Sequence, residues 1–283
     1  MAVLSVDLAY RRWSDLGIVL LDRVPRPAAA PEEDSGNSES DQEAAEIRCE
    51  LIVWNGPGDE TVTAPGPVPA RGELQRVDPE MLAGRLNHLA HLRNIHTILL
   101  DGPQAWKSRN NGLEFARVSE RQLNTAAKTG LPGMVKPTTY RAFAEFCLDV
   151  YDALARRGWR RLDTNSQPGS APQRLLVESY PHAAWKSLGL KPLPSKRRAR
   201  ISDLAEALAA LRSLLSLRVD HPPNHDQLQA IVGGLPGLAL DEHDANGARI
   251  FGHPPRREEG HWREGFIVLP LPPNRAPAIR WLH

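Results

Sequence analysis

The chain has 283 residues, of which 41% are hydrophobic and 24% are charged, a balance typical of a soluble globular protein. Its 35 lysine and arginine residues nearly cancel its 34 aspartate and glutamate residues, which excludes a global field that would draw the protein to nucleic acid or to a membrane. The two cysteines lie far apart without a CxxC spacing, which excludes a disulfide framework and a zinc knuckle, so we expect a cytoplasmic protein.

The first fifth of the chain predicts three strands. Residues 2 to 9 and 16 to 24 are rich in leucine and β-branched residues, and the polar stretch between them predicts a hairpin. Residues 26 to 46 change to proline, alanine, serine and acidic residues without periodicity, which predicts a disordered acidic insertion. The third strand is predicted at residues 47 to 54, before an irregular proline- and glycine-rich connection at 56 to 72.

The middle of the chain alternates helices and strands. Residues 78 to 80 place an aspartate, a proline and a glutamate where a helix would begin, and leucines follow at helical spacing. This helix leads into a strand at residues 96 to 101. Two more helices are predicted at 116 to 128 and at 138 to 157, before a strand at 174 to 178.

The last third is predicted to be helical at first, with helices at residues 183 to 188, 202 to 217 and 226 to 233. The apolar runs at 248 to 251 and 266 to 269 then predict a closing hairpin.

This order of elements predicts one α/β domain over residues 1 to 283. We expect a mixed sheet with three antiparallel strands followed by parallel strands, helices on both faces, and an irregular C-terminal hairpin region at about 240 to 283. No run approaches the roughly 20 apolar residues that a membrane-spanning helix needs, so no membrane partner is expected.

Four acidic residues stand out against this pattern. Asp7 lies inside an apolar strand, Asp101 and Glu178 close two later strands, and Asp226 lies near the start of an apolar helix. A buried charge is unfavourable unless it is paired or binds a metal. If these strands are neighbours, their carboxylates meet near one end of the sheet, where open α/β sheets usually place ligands.

Four gathered carboxylates predict a metal site. They repel one another and raise each other's pKa, so at neutral pH the arrangement is stable mainly when divalent cations neutralise it. Oxygen ligands select hard ions, here Mg²⁺ or Mn²⁺. Two such ions about 3.5 to 4 Å apart can activate water and stabilise a leaving oxygen at phosphorus, which is nuclease chemistry.

Each acid also has a simpler interpretation. Asp7 could cap a turn or pair with a nearby arginine, and Asp101 could belong to an ordinary Asp-Gly-Pro turn. Glu178 could accept backbone N–H bonds at the next helix start, and an acid in a first helical turn, such as Asp226, is expected on dipole grounds alone.

The densest basic segment follows Glu178 and could grip phosphates beside the metals, although such a run is often only a solvated loop. Its members are Lys186, Lys191, Lys196, Arg197, Arg198 and Arg200. Trp106 and Trp185 could stack on bases or belong to the core. His225 could be a metal ligand, a proton shuttle or a helix cap.

Short motifs around these residues recur in a recognisable order. They are Val6-Asp7-Leu8-Ala9, Leu100-Asp101-Gly102-Pro103, Arg117-Val118-Ser119-Glu120-Arg121, Val177-Glu178-Ser179-Tyr180-Pro181 with Ala184-Trp185, Lys196, and His225-Asp226-Gln227-Leu228-Gln229-Ala230. From Asp7 to about Leu235 the chain resembles the family catalogued as domain of unknown function 429, a predicted nuclease family with a ribonuclease H-like fold.

The resemblance implies a ribonuclease H-like fold, metal binding by Asp7, Asp101, Glu178 and Asp226, and a phosphate contact by Lys196. One departure concerns the last motif, where the family commonly has a pair of aspartates followed by an Asp-Ala step. Here His225 and Gln227 flank Asp226, and Gln229 precedes Ala230.

The sequence therefore predicts a nuclease that uses Mg²⁺ or Mn²⁺ to hydrolyse nucleic-acid phosphodiester bonds by a two-metal mechanism, with DNA and RNA both open. The expected catalytic residues are Asp7, Asp101, Glu178, Asp226 and Lys196, and the expected substrate-binding residues are Arg197, Arg198 and Arg200. The alternative is a non-catalytic nucleotide- or partner-binding protein with the same fold. A phosphotransferase ranks last, because no Gly- and Thr-containing phosphate loop follows the first strand.

Overall fold

The computed structural model describes residues 2–25, 46–56, 76–164, 174–241 and 247–272. The acidic insertion expected at residues 26 to 46 lies outside these ranges except for residue 46, and most of the connection expected at 56 to 72 also lies outside them.

The described residues form thirteen strands. They are β1 (Ala2–Asp7), β2 (Gly17–Val24), β3 (Glu46–Ile52), β4 (Thr97–Asp101), β5 (Lys128–Thr129), β6 (Val135–Lys136), β7 (Arg160–Arg161), β8 (Leu175–Ser179), β9 (Leu217–Val219), β10 (Ala248–Phe251), β11 (Arg256–Glu258), β12 (His261–Arg263) and β13 (Ile267–Pro270).

Nine of these strands form one central sheet in the order β10-β13-β8-β4-β1-β2-β3-β9, with β7 beside β8. Strands β1, β2 and β3 pair antiparallel, whereas β4, β8 and β13 continue parallel to β1. The predicted mixed sheet is therefore confirmed. The two runs of the predicted closing hairpin pair antiparallel as β10 and β13, but they are not consecutive strands, because β11 and β12 lie between them in the chain and pair with each other.

Six α-helices occur in the described residues. They are α1 (Pro79–Leu92), α2 (Val118–Leu123), α3 (Arg141–Arg156), α4 (Pro181–Ser187), α5 (Ile201–Leu214) and α6 (His225–Asp241). The predicted start of α1 is confirmed, because the Asp78 side chain accepts a 2.8 Å hydrogen bond from the Met81 backbone. Helix α5 ends before residue 217, where β9 pairs with β3.

Successive side chains of the central strands contribute alternately to two hydrophobic cores. Leu99 and Val177 belong to the core that includes the buried face of α6, and Leu100 and Leu176 belong to the core beneath α1 and α3. Because side chains alternate along a strand, a shift of one residue moves a side chain from one core to the other.

The predicted end of α6 at residue 233 is wrong, because the helix continues to Asp241 through three glycines and a proline. A Cβ at Gly234 would lie 2.7 Å from the Ser5 Cβ, and one at Gly237 would lie 2.4 Å from Leu99 Cδ1. The glycines let the helix backbone approach the sheet closely, and this packing outweighs their low helix propensity. Among the described residues, no helix combines the length and apolar character needed to cross a membrane.

Candidate functional site

Asp7 and Asp101 end the parallel neighbours β1 and β4 and are direct partners in the register. Their side chains continue the series that faces α6, and they share a hydrogen bond. Two carboxyl groups can share a hydrogen bond only when one of them is protonated, since an ionised carboxylate has no donor. This pair forms the centre of the candidate site.

Asp226 lies close to the pair because α6 packs against Gly17, the residue of β2 that is in register with Asp7. A Cβ at Gly17 would lie 2.1 Å from the backbone oxygen of Asp226, so the first turn of α6 rests directly on β2. Only glycine permits this approach. The 6% exposed Asp226 thus joins Asp7 and Asp101, and we name these three residues the aspartate cluster.

The start of α6 is fixed by a capping box that the sequence analysis missed. The Gln227 backbone donates to the Asn224 side chain at 2.9 Å, and the Asn224 backbone donates to the Gln227 side chain at 2.9 Å. The spacing of Asn224 and Gln227 was a readable signal for this cap. Gln227, which follows Asp226 directly, therefore holds the turn that carries Asp226.

Burial and mutual repulsion perturb the aspartate cluster. Burial raises the pKa of Asp7 well above its ordinary value, the charges of Asp101 and Asp226 raise it further, and Lys196 opposes the change. Burial also raises the pKa of Asp101 to about 7, against the effect of its hydrogen bond with Asp7 and with a contribution from Glu178. Without an added cation, the pair therefore retains a proton near neutral pH.

Lys196 supplies the aspartate cluster with a nearby positive charge. Its ammonium contacts Asp226 and donates a 2.9 Å hydrogen bond to Asp15 Oδ1. Burial lowers the pKa of Lys196, but its bonds with these two acids outweigh burial and raise the pKa. The structure thus places Lys196 at the site, and its contact with phosphate stays a prediction.

His225 supports Asp226 rather than capping the helix. Its Nδ1 lies 3.1 Å from Asp226 Oδ1, and its Nε2 lies 3.0 Å from the backbone oxygen of Pro194. Pro194 precedes Lys196 by two residues, so the imidazole ties the first turn of α6 to the loop that carries the lysine.

Glu178 has different surroundings from the three aspartates. It is in register with Leu100, whereas Asp101 is in register with Ser179, so alternation directs Glu178 toward the face opposite that of Asp101. Ser179 occupies the aspartate side, where its Oγ would lie 3.0 Å from a Cβ at Gly233 of α6. The structure brings Glu178 near Asp101 without joining it to the aspartate cluster, and metal binding by Glu178 stays a prediction.

Arg117 forms a bidentate ion pair with Glu178 of β8. Arg117 Nη1 and Nη2 donate to the two carboxylate oxygens at 2.6 Å each, and the Gln104 backbone donates to the same group at 3.0 Å. Arg117 also binds Glu120, with Nη2 at 3.0 Å from Oε1. We name Arg117, Glu120 and Glu178 the glutamate cluster, in which all three side chains are at most 4% exposed.

Arg117 compensates the charges of the glutamate cluster in part. Burial lowers the pKa of the Arg117 guanidinium, but the charges of Glu178 and Glu120 outweigh burial and raise it. Burial also raises the pKa of Glu120 in spite of the Arg117 charge, and the charge of Glu178 adds to the rise. Arg117 opens the motif Arg117-Val118-Ser119-Glu120-Arg121, to which the sequence alone assigns no role. Its pairing with Glu178 depends on a contact between distant segments, which no local pattern revealed.

The basic residues after Lys196 lie on the surface. Arg197, Arg198 and Arg200 are exposed, and the Arg200 backbone donates to Asp203 at 2.7 Å where α5 begins. Within the part of the chain that the structure describes, Arg197 and Arg198 form no ion pair, so binding of substrate by the three arginines stays a prediction. Trp106 and Trp185 are buried, which confirms the core interpretation of both.

The donor set of the aspartate cluster suits a hard divalent cation. Among the described residues, no three aspartate, glutamate, histidine or cysteine side chains already stand in the arrangement of a metal site. The aspartate oxygens are nevertheless the ligand type that Mg²⁺ and Mn²⁺ prefer, and the raised pKa values of Asp7 and Asp101 show that their charges lack full compensation. The three aspartates are chemically suited to bind such an ion, provided that Lys196 moves away from Asp226.

Comparisons with known proteins give little further guidance. No protein-family model matches the sequence, and no curated protein matches it. Among solved structures, the RuvC structure of Thermus thermophilus is similar with a TM-score of 0.38 and 12% sequence identity, over 86% of this chain and 97% of that chain.

Proposed function

We propose that this chain is a ribonuclease H-like, metal-dependent nuclease that hydrolyses phosphodiester bonds of nucleic acid. The observation that carries the proposal is the register of Asp7 with Asp101 at the carboxyl ends of two central parallel strands, with Asp226 held beside them over Gly17. The sheet, three antiparallel strands followed by parallel ones, is the arrangement expected of a ribonuclease H-like fold.

In this proposal, Asp7, Asp101 and Asp226 would hold Mg²⁺ or Mn²⁺, with Asp7 between the other two. Such ions, when bound, lower the pKa of a coordinated water and neutralise charge that develops at phosphorus. Glu178 was expected as a fourth ligand, but its bidentate ion pair with Arg117 favours a supporting role. Through Gln104, Glu178 fixes the loop that follows Asp101.

The neighbouring residues of the chain would position the substrate. Lys196 is about half exposed at its side chain, so its ammonium can leave Asp226 and neutralise a phosphate oxygen instead. His225 would keep Asp226 in place during that exchange, because its two ring nitrogens contact Asp226 and the Lys196 loop. Arg197, Arg198 and Arg200 would contact flanking phosphates, which position a strand without reading its sequence.

Cleavage assays with the Asp7→Asn variant test the proposal. The purified chain should cut labelled DNA or RNA only when Mg²⁺ or Mn²⁺ is present, and the folded variant should lose at least about 100-fold of that rate. Asp22→Asn, a change at a β2 residue far along the strand from the site, serves as the matched control. Undiminished cleavage by folded Asp7→Asn would contradict the proposal.

A second candidate is a non-catalytic protein that uses the same pocket to bind a nucleotide or a partner. It is favoured by two observations, since Lys196 already contacts Asp226 and Arg117 already binds Glu178. Thermal unfolding distinguishes the two candidates, since an ion that binds only the folded state raises the melting temperature. Failure of millimolar Mg²⁺ and Mn²⁺ to do so would favour the non-catalytic candidate.

A further inference from the structure

A cavity of about 350 Å³ has Asp101 in its lining and does not include Asp226. The ends of β4 and β8 form one wall, and residues of α2, α3 and the β5–β6 hairpin form the others. Known ligand sites enclose roughly 300 to 1,000 Å³, so this cavity suits one small ring system rather than a stack of several. It directly adjoins the proposed catalytic carboxylates.

The walls of the cavity are largely apolar and aromatic. Val135, Phe143 and Ile267 contribute apolar surface, and the rings of Tyr140 and Tyr180 also line the space. Tyr140 is 43% exposed, so its ring is accessible from solvent. Flat aromatic side chains that are accessible in this way provide stacking surfaces for nucleobases.

The charges in the lining disfavour an anion. Asp101, Glu120 and Glu178 outnumber the single guanidinium of Arg117. His182 adds little positive charge at neutral pH, because burial and then Lys186 lower its pKa. A phosphate would therefore be repelled, whereas a neutral ring would not.

Further positive charge lies next to the cavity. Lys128 and Lys136 belong to the hairpin strands β5 and β6, and neither side chain lines the cavity. Lys136 Nζ lies 4.4 Å from the centre of the Phe115 ring, and Lys128 Nζ donates to the backbone oxygen of Thr125. A nucleic-acid backbone could follow these lysines while one base turns inward.

We propose that this cavity receives a single unstacked nucleobase of the strand whose phosphate lies at the aspartate cluster. The inference deepens the proposed nuclease function and rests on it. An enzyme with this cavity acts on strands whose bases are already unpaired or are easily unpaired, because extruding a base from a duplex requires unstacking energy. It therefore prefers single-stranded, mismatched or branched substrates to a regular duplex.

Fluorescence of 2-aminopurine tests the proposal with the full chain. Oligonucleotides that carry this base at successive positions should show altered emission at one position when protein is added, because that base leaves the stack. The variant Ala144→Phe fills the cavity and should weaken binding about 10-fold or more, as expected when one stacked base is lost. The matched control Ala142→Phe lies on the exposed side of α3 and should bind like the wild type.

An abasic oligonucleotide sharpens the test. With no base at the responsive position, wild type and Ala144→Phe should bind equally. If Ala144→Phe does not fold, Ala126→Trp replaces it, since Ala126 is exposed yet lines the cavity. The proposal is overturned if no position responds, or if filling the cavity leaves the affinity for the intact oligonucleotide unchanged.

Cleavage and Mn²⁺ binding are measured in the same samples. A position-specific fluorescence response without cleavage or metal binding would refute the proposed nuclease function while keeping the base site. Metal-dependent cleavage that Ala144→Phe leaves unchanged would refute the base site while supporting the proposed nuclease function.

Discussion

The aspartate cluster and the glutamate cluster lie on opposite sides of the same sheet end, and both are largely buried. In the glutamate cluster, Arg117 binds both acids, and Glu120 also accepts hydrogen bonds from the backbone and hydroxyl of Thr129. In the aspartate cluster, Asp7 and Asp101 share a hydrogen bond, and the nearby cation is Lys196. A buried acid that is paired with a cation and with hydrogen-bond donors stabilises the fold without a metal. Buried acids that repel one another can instead be stabilised by an added cation.

Glu264 shows how completely a buried carboxylate can be satisfied without a metal. It is 1% exposed and accepts hydrogen bonds from the backbones of Ser108 and Val118 at 2.9 Å each, and from the Asn111 side chain at 2.7 Å. Burial alone therefore does not identify a metal ligand. The absence of such donors from the described surroundings of Asp7 separates it from Glu264.

The largest expected effect comes from removing the cation of the glutamate cluster. Arg117→Met leaves Glu120 and Glu178 buried without compensation, and we expect a loss of about 3 to 5 kcal/mol in the free energy of unfolding. Denaturant unfolding measures this loss. Arg109→Met removes an exposed ion pair with Glu259 and should change stability by less than about 1 kcal/mol. Equal losses in the two variants would contradict the assignment.

A smaller loss is expected from Gly17→Ala. The new Cβ would collide with the Asp226 backbone, so the first turn of α6 must shift, at a cost of about 1 to 3 kcal/mol. Mn²⁺ affinity should fall with it, because Asp226 moves away from Asp7. Gly56→Ala meets no atom within 4 Å and is the control. Unchanged Mn²⁺ affinity in Gly17→Ala would show that the Asp226 position does not matter.

The pH dependence of the stability of the metal-free protein should reflect the protonation of the aspartate cluster. Because folding raises the pKa of Asp101 from 3.8 to about 7, the folded state holds a proton that the unfolded chain has released. Stability is therefore greatest below the ordinary pKa and falls as pH rises toward 7, by about 4 kcal/mol.

Melting temperatures between these pH values measure the effect. Asp101→Asn should flatten the profile, and so should Mn²⁺, which replaces the proton. A metal-free profile that rises over this range would contradict the assigned direction.

The smallest expected effect on metal binding separates the two interpretations of Glu178. Glu178→Gln keeps the shape of the side chain but replaces one acceptor oxygen by an NH₂ group that faces Arg117, so stability should fall by about 1.5 to 3 kcal/mol. If Glu178 belongs to the glutamate cluster alone, the Mn²⁺-induced rise in melting temperature stays as in the wild type. If it is a fourth metal ligand, that rise should shrink as much as it does in Asp101→Asn.

The sequence predicted the site well where local patterns determine the structure. Apolar runs marked β1 and β4, so the placement of Asp7 and Asp101 at neighbouring strand ends could be anticipated. The face of the sheet on which Glu178 lies could not be predicted, because it depends on the exact register between β4 and β8. A shift of one residue would place the side chain on the other face.

Long-range packing accounts for another difference. Gly234 and Gly237 predict a helix end when the chain is considered locally, but they are the points where α6 approaches Ser5 and Leu99 of the sheet. The cap formed by Asn224 and Gln227 was visible in the sequence, since their spacing is that of a capping box.

Calorimetric titration with Mn²⁺ tests the central claim most directly, namely that the aspartate cluster rather than the glutamate cluster binds the cation. Wild type and Glu178→Gln should bind Mn²⁺ with similar affinity, and Asp7→Asn should lose at least about 10-fold in affinity. Binding that survives in Asp7→Asn but is lost in Glu178→Gln would contradict the account.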